Sequence, residues 1–190
     1  MPTLYLIGGP NGSGKSTQAQ VIGETRGVVV INPDKLILQW KAEGVTNKQA
    51  LLELLKIEVE QLFDIKESFI FESNLHDYQS YEIVIQANSL RYRTELLFIS
   101  VDNLDLLKNR VRIRVDNNGH YVPDDVVELR YKNGMELLPS HIKYFDRVAL
   151  IDSTQTISEI EYIIGKNSIR QMTGNPSIWS QNIVKKYKKE

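Results

Sequence analysis

An α/β fold, with a parallel five-stranded sheet flanked by helices, is what this sequence predicts, and three observations predict it. Short runs rich in Val, Ile, Leu and Phe alternate with longer amphipathic stretches along the chain, which is the pattern of strands joined by helical crossovers. The runs are apolar almost throughout, so the strands are buried on both faces, as parallel strands are. The first run, Leu4-Tyr5-Leu6-Ile7, leads directly into Gly9-Pro10-Asn11-Gly12-Ser13-Gly14-Lys15-Ser16-Thr17. That segment fits G-x-x-x-x-G-K-[ST], a loop whose place is between a strand and a helix.

The elements follow in order. Residues 3–8 form the first strand, ended by the glycines of the loop, and residues 16–25 form the helix the loop requires. A second strand over 28–31 ends in Asn32-Pro33-Asp34. The clearest helix is 48–63, where Leu51, Leu55, Val59 and Leu62 make one stripe and Glu53, Glu58 and Glu60 lie off it. The third strand, 68–71, releases Glu72-Ser73-Asn74; the fourth, 95–101, releases Asp102-Asn103; the fifth, 147–151, releases Asp152-Ser153. Leu104, Leu107, Val111 and Val115 face inward on a helix over 104–116, with a run of bases on its remaining surface. Pro123-Asp124-Asp125 starts another helix. Thr156-Ile157-Ser158-Glu159 matches a capping box and predicts a last helix over the sheet. Thr173-Gly174-Asn175-Pro176 is a turn before a short helix at 178–187 and a Lys-rich end. This reading divides the chain into a main domain, 1–166, with a lid at about 108–130, and an appended helix and tail, 167–190.

The loop carries the strongest chemical signal. Its three glycines let successive backbone N–H groups point inward at a phosphate, Lys15 supplies a point charge to the β and γ oxygens, and the Ser16 hydroxyl can ligate Mg²⁺. The following helix presents its positive end to the same anion. Residues 9–17 therefore form a nucleoside triphosphate site, with Gly9, Pro10, Asn11, Gly12, Ser13, Gly14, Lys15, Ser16 and Thr17 as its lining.

Parallel strands place their carboxyl ends on one edge, where ligands of such sheets bind. Asp34 follows the strand after the phosphate loop and is the candidate base for an acceptor hydroxyl; the alternative is an N-cap for a helix beginning at Lys35. Glu72 is a candidate for Mg²⁺ or for acceptor hydroxyls, and the sequence does not separate the two. Asp102 reads as a cap next to the basic helix. Arg110 and Arg114 share one face of that helix, with Lys108 and Arg112 on another, and the segment runs into Asp116-Asn117-Asn118-Gly119-His120. Such a stretch resembles a lid over phosphates, with Arg110 and Arg114 as its catalytic cations and His120 and Arg130 as helpers. Tyr78 and Tyr81 read as packing, with stacking on a base or sugar as the alternative.

Bulk properties narrow the classes. At 190 residues and 42% hydrophobic content, one domain with a filled core is expected. A formal charge of −1 gives no global basic field for nucleic acid. The absence of cysteine excludes disulfides and thiolate chemistry and fits a reducing compartment. Met1-Pro2-Thr3 has no basic segment ahead of an apolar one, no apolar run approaches the ~20 residues of a membrane helix, and a cytoplasmic location is expected.

Taken as an ordered set, these residues resemble the P-loop kinases of the zeta toxin family. The resemblance spans residues 3 to about 153. It rests on the loop at 9–17, Asn32-Pro33-Asp34, Phe69-Ile70-Phe71-Glu72-Ser73, Arg110-Val111-Arg112-Ile113-Arg114, and Asn118-Gly119-His120-Tyr121-Val122-Pro123 followed by Arg130-Tyr131. It implies an adenylate-kinase-like P-loop NTPase fold with a small helical lid, ATP and Mg²⁺ as cofactors, Asp34 as base, and lid arginines on the nucleotide phosphates. Characterised members phosphorylate a hydroxyl of UDP-N-acetylglucosamine or related nucleotide sugars, and some are held in check by an antitoxin protein. The chain departs from the small relatives at Asn118, where they often carry Gly. Kinases of another metabolite or of a polynucleotide end, and a non-catalytic ATP-binding interaction module, are the alternatives.

Overall fold

The computed structural model describes residues 1–116 and 121–189. Its sheet has seven strands in the order β2-β3-β1-β4-β5-β6-β7. β1 (Thr3–Gly8), β2 (Val29–Ile31), β3 (Phe69–Ser73), β4 (Arg93–Ser100) and β5 (Arg147–Asp152) are all parallel. These are the five strands expected. β1 lies between β3 and β4, so the chain leaves β1 toward one side of the sheet and β4 toward the other. Such a reversal of direction is where open sheets of this kind commonly bind ligands.

The continuous apolar runs divide between two cores by simple alternation. Leu4 and Leu6 of β1, Leu96 and Phe98 of β4, and Val148 and Leu150 of β5 point to one face. Ile7, Ile99, Ala149 and Ile151 point to the other, against Ala19 and Ile22 of α1 (Lys15–Arg26). Both faces of the central strands thus bury apolar surface, at roughly 25 cal/mol per Å² removed from water. α2 (Pro33–Ala42) follows β2, and α3 (Lys48–Asp64) delivers Leu51, Val59 and Phe63 to the core, with Leu55 and Leu62 half-buried. A 3-10 turn at Gln79–Tyr81 enters α4 (Glu82–Ser89). Tyr81 is buried and stacks on His141 at 4.0 Å, so it packs as expected; Tyr78 is exposed.

α5 (Leu104–Asp116) and α6 (Asp124–His141) make a third, smaller core from Val101, Leu107, Val111, Val122 and Val127. Leu107 and Val111 face inward as the spacing predicts; the Val115 side chain lies outside the description. Acidic Asp124 and Asp125 open α6, where they complement the helix dipole.

Two expectations are corrected. Residues 156–166 form no helix: β6 (Glu159–Gly165) and β7 (Ser168–Gln171) make an antiparallel hairpin on the edge of β5. The capping-box match is outweighed by Ile160, Tyr162, Ile163 and Ile164, whose branched and aromatic side chains suit a pleated surface, and Lys166-Asn167 closes the turn. Asp102 is a cap, but not of the helix beside it. Asn103 Oδ1 accepts from Asp105 N at 2.9 Å to open α5. Asp102 accepts from Ile178 N and Trp179 N at 2.8 and 2.7 Å, and so caps α7 (Ile178–Tyr187) 76 residues away. Glu161 of β6 completes that cap, accepting from Ser177 N at 2.7 Å. Trp179, Ile183 and Val184 of α7 then join the main core.

Candidate functional site

The phosphate loop owes its shape to glycine at three points. Gly9 and Gly12 have φ of 135° and 82°, and a Cβ would sit 2.0 Å from the Ile99 carbonyl oxygen at the first and 2.5 Å from that of Leu107 at the second. No L side chain fits either place. The loop is thereby pressed between β4 and α5. Gly14, at φ 92°, begins α1 with no side-chain cap and nothing within 4 Å of where a Cβ would be. The first N–H groups of α1 thus carry no cap from that residue, the arrangement an anion requires. Ser13 Oγ is buried in the same loop with no hydrogen-bond partner, and Thr17 is exposed in the first turn of α1.

Polar groups from distant strands converge on this loop. Lys15 Nζ donates to Pro10 O at 2.9 Å and to Asn74 Oδ1 at 3.0 Å. Ser16 Oγ donates to Glu72 Oε2 at 2.8 Å, because the parallel register sets Ile7 beside Glu72 and Gly8 beside Ser73. Burial brings the Lys15 ammonium down to about 8; Glu72 and Asp34 oppose that shift, and Arg114 and Arg130 add to it. Asp34 is exposed in the first turn of α2, and Asn32, not Asp34, is the cap, accepting from Lys35 N at 3.0 Å. The capping alternative for Asp34 is therefore removed.

The four bases of α5 separate into two groups. Lys108 pairs with Glu128 at 2.9 Å and Arg112 pairs with Asp124, so these two fasten α5 to α6. Arg110 and Arg114 lie four residues apart on α5. Arg110 Nη2 donates to Ser153 O at 2.7 Å and Thr154 O at 3.2 Å, at the exit of β5. Ser153 Oγ in turn donates to Ser13 O at 2.9 Å, joining that exit to the phosphate loop. Arg130 reaches the loop from α6, its Nη1 donating to Asn11 Oδ1 at 3.0 Å. His120 lies outside the described residues.

Three contributors were not singled out from sequence. Asn74, visible only as a polar residue after an apolar strand, takes Lys15. His76 and Asp77 come from the stretch with the least periodicity. His76 is half-buried, with Nδ1 enclosed and unpartnered; burial holds its basicity down, Asp77 opposes this, and Arg130 and Lys15 add to it. A cleft of about 450 Å³ begins at Ser16, Asn32 and Glu72 and runs outward along α1, past Gln20 and Glu24, beside residues 28–30.

The residues fit the groups the motif implies. A glycine cradle, an uncapped helix start and converging cations suit a polyphosphate. A serine hydroxyl beside one carboxylate suits Mg²⁺, which binds through one or two protein oxygens together with substrate phosphates.

Known proteins share this fold. A solved chain of the chromosomal toxin–antitoxin system PezAT of Streptococcus pneumoniae is 17% identical, with a TM-score of 0.66 over 100% of this chain and 85% of that one. A chain of the AvrRxo1-ORF1:ORF2 structure with ATP is 14% identical, with a TM-score of 0.74 over 98% of this chain and 64% of that one. A sugar kinase from Janibacter is 16% identical, with a TM-score of 0.53, over 82% of this chain and 87% of that one. At these identities the likeness is one of fold. Among curated proteins none matches the sequence significantly. The zeta toxin family model does match, over residues 1–160, a span that includes the phosphate loop, Asp34, Glu72, α5 and α6, and the chain belongs to the zeta toxin family of P-loop kinases.

Proposed function

We propose that the protein transfers the γ-phosphate of ATP to a hydroxyl of a small molecule, with a nucleotide sugar such as UDP-N-acetylglucosamine as the acceptor class. The observation that carries this reading is the set of side chains gathered at one phosphate loop, Lys15 on Asn74, Ser16 on Glu72 and Arg130 on Asn11, with the Asp34 carboxylate exposed in the first turn of α2. A binding module needs the cradle; it does not need an exposed carboxylate at its mouth.

In the proposed reaction the acceptor oxygen bonds to the γ-phosphorus as the bond to the β–γ bridging oxygen breaks, and the hydroxyl proton passes to the Asp34 carboxylate. ADP leaves. Lys15 and the loop N–H groups hold the β and γ oxygens, and Arg114 and Arg130, with Arg110 and His120 as further lid contributors, offset charge on the transferred group. Arginines in such roles are worth about 10³ to 10⁵ in rate, and a positioned base about 10² to 10⁴. Ser16 and Glu72 would hold Mg²⁺, which when bound neutralises charge shared by the β and γ oxygens. Glu72, His120 and Arg130 are also the residues assigned to binding the acceptor.

The reading includes a cytoplasmic location, supported by the cysteine-free sequence, and an antitoxin partner, supported by the family and by the toxin–antitoxin system to which one structural relative belongs. No helix among the described residues is long and apolar enough to cross a membrane. The test is incubation of the purified protein with γ-labelled ATP and a pool of nucleotide sugars and metabolites. Label in a nucleotide sugar is the expected result. Tight ATP binding with no labelled acceptor and no ADP would leave an ATP-binding interaction module.

A further inference from the structure

We propose that Asn11 is a positioning residue: it mounts Arg130 on the phosphate loop, over the phosphoryl group to be transferred. The proposal rests on reading the protein as a kinase. In G-x-x-x-x-G-K-[ST] the phosphate is met by backbone N–H groups, and the four intervening side chains have no duty toward it. Asn11 holds one of those four positions, yet it is 4% exposed, and its Oδ1 accepts from Arg130 Nη1 at 3.0 Å across 119 residues of sequence. The mount is rigid, since the backbone on its far side is held by Gly12 at φ 82° against the Leu107 carbonyl. The helix that brings Arg130 is fixed as well. Tyr131 Oη donates to Val101 O at 3.3 Å, Lys108 pairs with Glu128, and Arg112 pairs with Asp124.

The chemistry of the partner distinguishes Arg130 from the bases around it. Lys108 and Arg112, which fasten one helix to the other, are each met by a carboxylate. Arg130 is hydrogen-bonded to a neutral amide, and the Asp77 carboxylate feels its charge without an ion-pair contact among the described residues. A carboxylate would orient the guanidinium more strongly, but it would offset its charge and repel the phosphates. An amide oxygen takes one of five N–H donors and leaves the positive charge and the other donors for ligand oxygens. With the side chain already oriented, less order has to be imposed on it when the reaction is reached.

The test uses Asn11→Ala, Asn11→Asp, Arg130→Ala and the Asn11→Ala/Arg130→Ala double variant, with Mg·ATP and water as acceptor for turnover. Mg·ADP and Mg·ADP–aluminium fluoride, a mimic of the transferred group, serve for binding. Asn11→Ala should bind Mg·ADP within about threefold of the unaltered protein and turn over about tenfold more slowly, the loss expected for one hydrogen bond to a charged donor. The double variant should be no slower than Arg130→Ala alone. Asn11→Asp, which keeps an acceptor but adds a negative charge, should be at least as slow as Asn11→Ala. Multiplying effects in the double variant, or loss of Mg·ADP affinity in step with turnover, would overturn the proposal. If the unaltered protein neither transfers label nor releases ADP, the kinase reading falls by itself. The aluminium fluoride complex then decides on Asn11: non-additive weakening by the two substitutions supports the mount, and additive weakening removes it.

Discussion

Two stretches of the same sheet edge behave differently. At the exits of β1 and β3, polar groups meet around space for a ligand: Lys15 with Asn74, Ser16 with Glu72, and Asp34 exposed close by. At the exits of β4 and β5, the polar groups are taken up by the chain's own C-terminal segment and loops. Asp102 caps α7, Asp152 accepts from Trp179 Nε1 at 3.3 Å and from Thr154 N at 3.0 Å, and Ser153 ties down the phosphate loop. An apolar strand that releases a polar residue therefore marks the edge. Whether that residue serves a ligand or the fold depends on what packs above it.

Substitutions on the two sides should separate activity from stability. Lys15→Ala should have the largest effect, abolishing productive nucleotide binding and turnover in a labelled-ATP assay; normal activity would refute the phosphate-loop reading. On the opposite side, Trp179→Ala should cost about 3–5 kcal/mol in urea unfolding, because Trp179 is 3% exposed and packs on Phe98 with ring centroids 5.8 Å apart. A loss below about 1 kcal/mol would mean that α7 is only loosely joined to the core.

Asp34→Asn should lower turnover by about 10² or more, the low end for acid–base assistance, while ATP affinity in equilibrium binding stays within a few-fold. Equal turnover would strip Asp34 of the role of base. Asp102→Ala is its counterpart. It removes two cap bonds and should cost about 1–2 kcal/mol, lowering Tm by roughly 2–8 °C, with turnover per folded molecule unchanged. A selective loss of turnover in Asp102→Ala would erase the contrast between the two halves of the edge.

The smallest predicted effect is a pH dependence of ATP affinity. The free protein holds Lys15 at about 8, and a bound polyphosphate favours the charged ammonium. Affinity should be full below that pH and weaken above it, by at most about tenfold per pH unit, since binding then requires uptake of one proton. A flat profile between pH 7 and 9.5 in titration calorimetry would place Lys15 away from the anion.

Much of this was legible in the sequence because it is local. The residue pattern at 9–17 prescribes its own backbone, and the glycines there have no substitute once Ile99 and Leu107 press against them. The five parallel strands were legible for a related reason: a strand buried on both faces must be apolar at every position. Residues 156–166 were misread because a four-residue capping pattern and a β-branched run compete within the same segment, and the open edge of β5 decides between them. Asp102 was recognised as a cap but given to the wrong helix, since a carboxylate's partner 76 residues away leaves no trace in spacing.

By itself, then, the amino-acid order determined the phosphate cradle, the central strands and the set of polar residues lining their carboxyl ends, because hydrophobic period and backbone conformation act over a few residues. Tertiary structure alone decided the pairing of those polar side chains: Arg110 with the β5 exit, Arg130 with Asn11, Asp102 with α7. Hydrogen bonds and charges act over a few ångströms, and only the folded chain brings residues 11 and 130 that close.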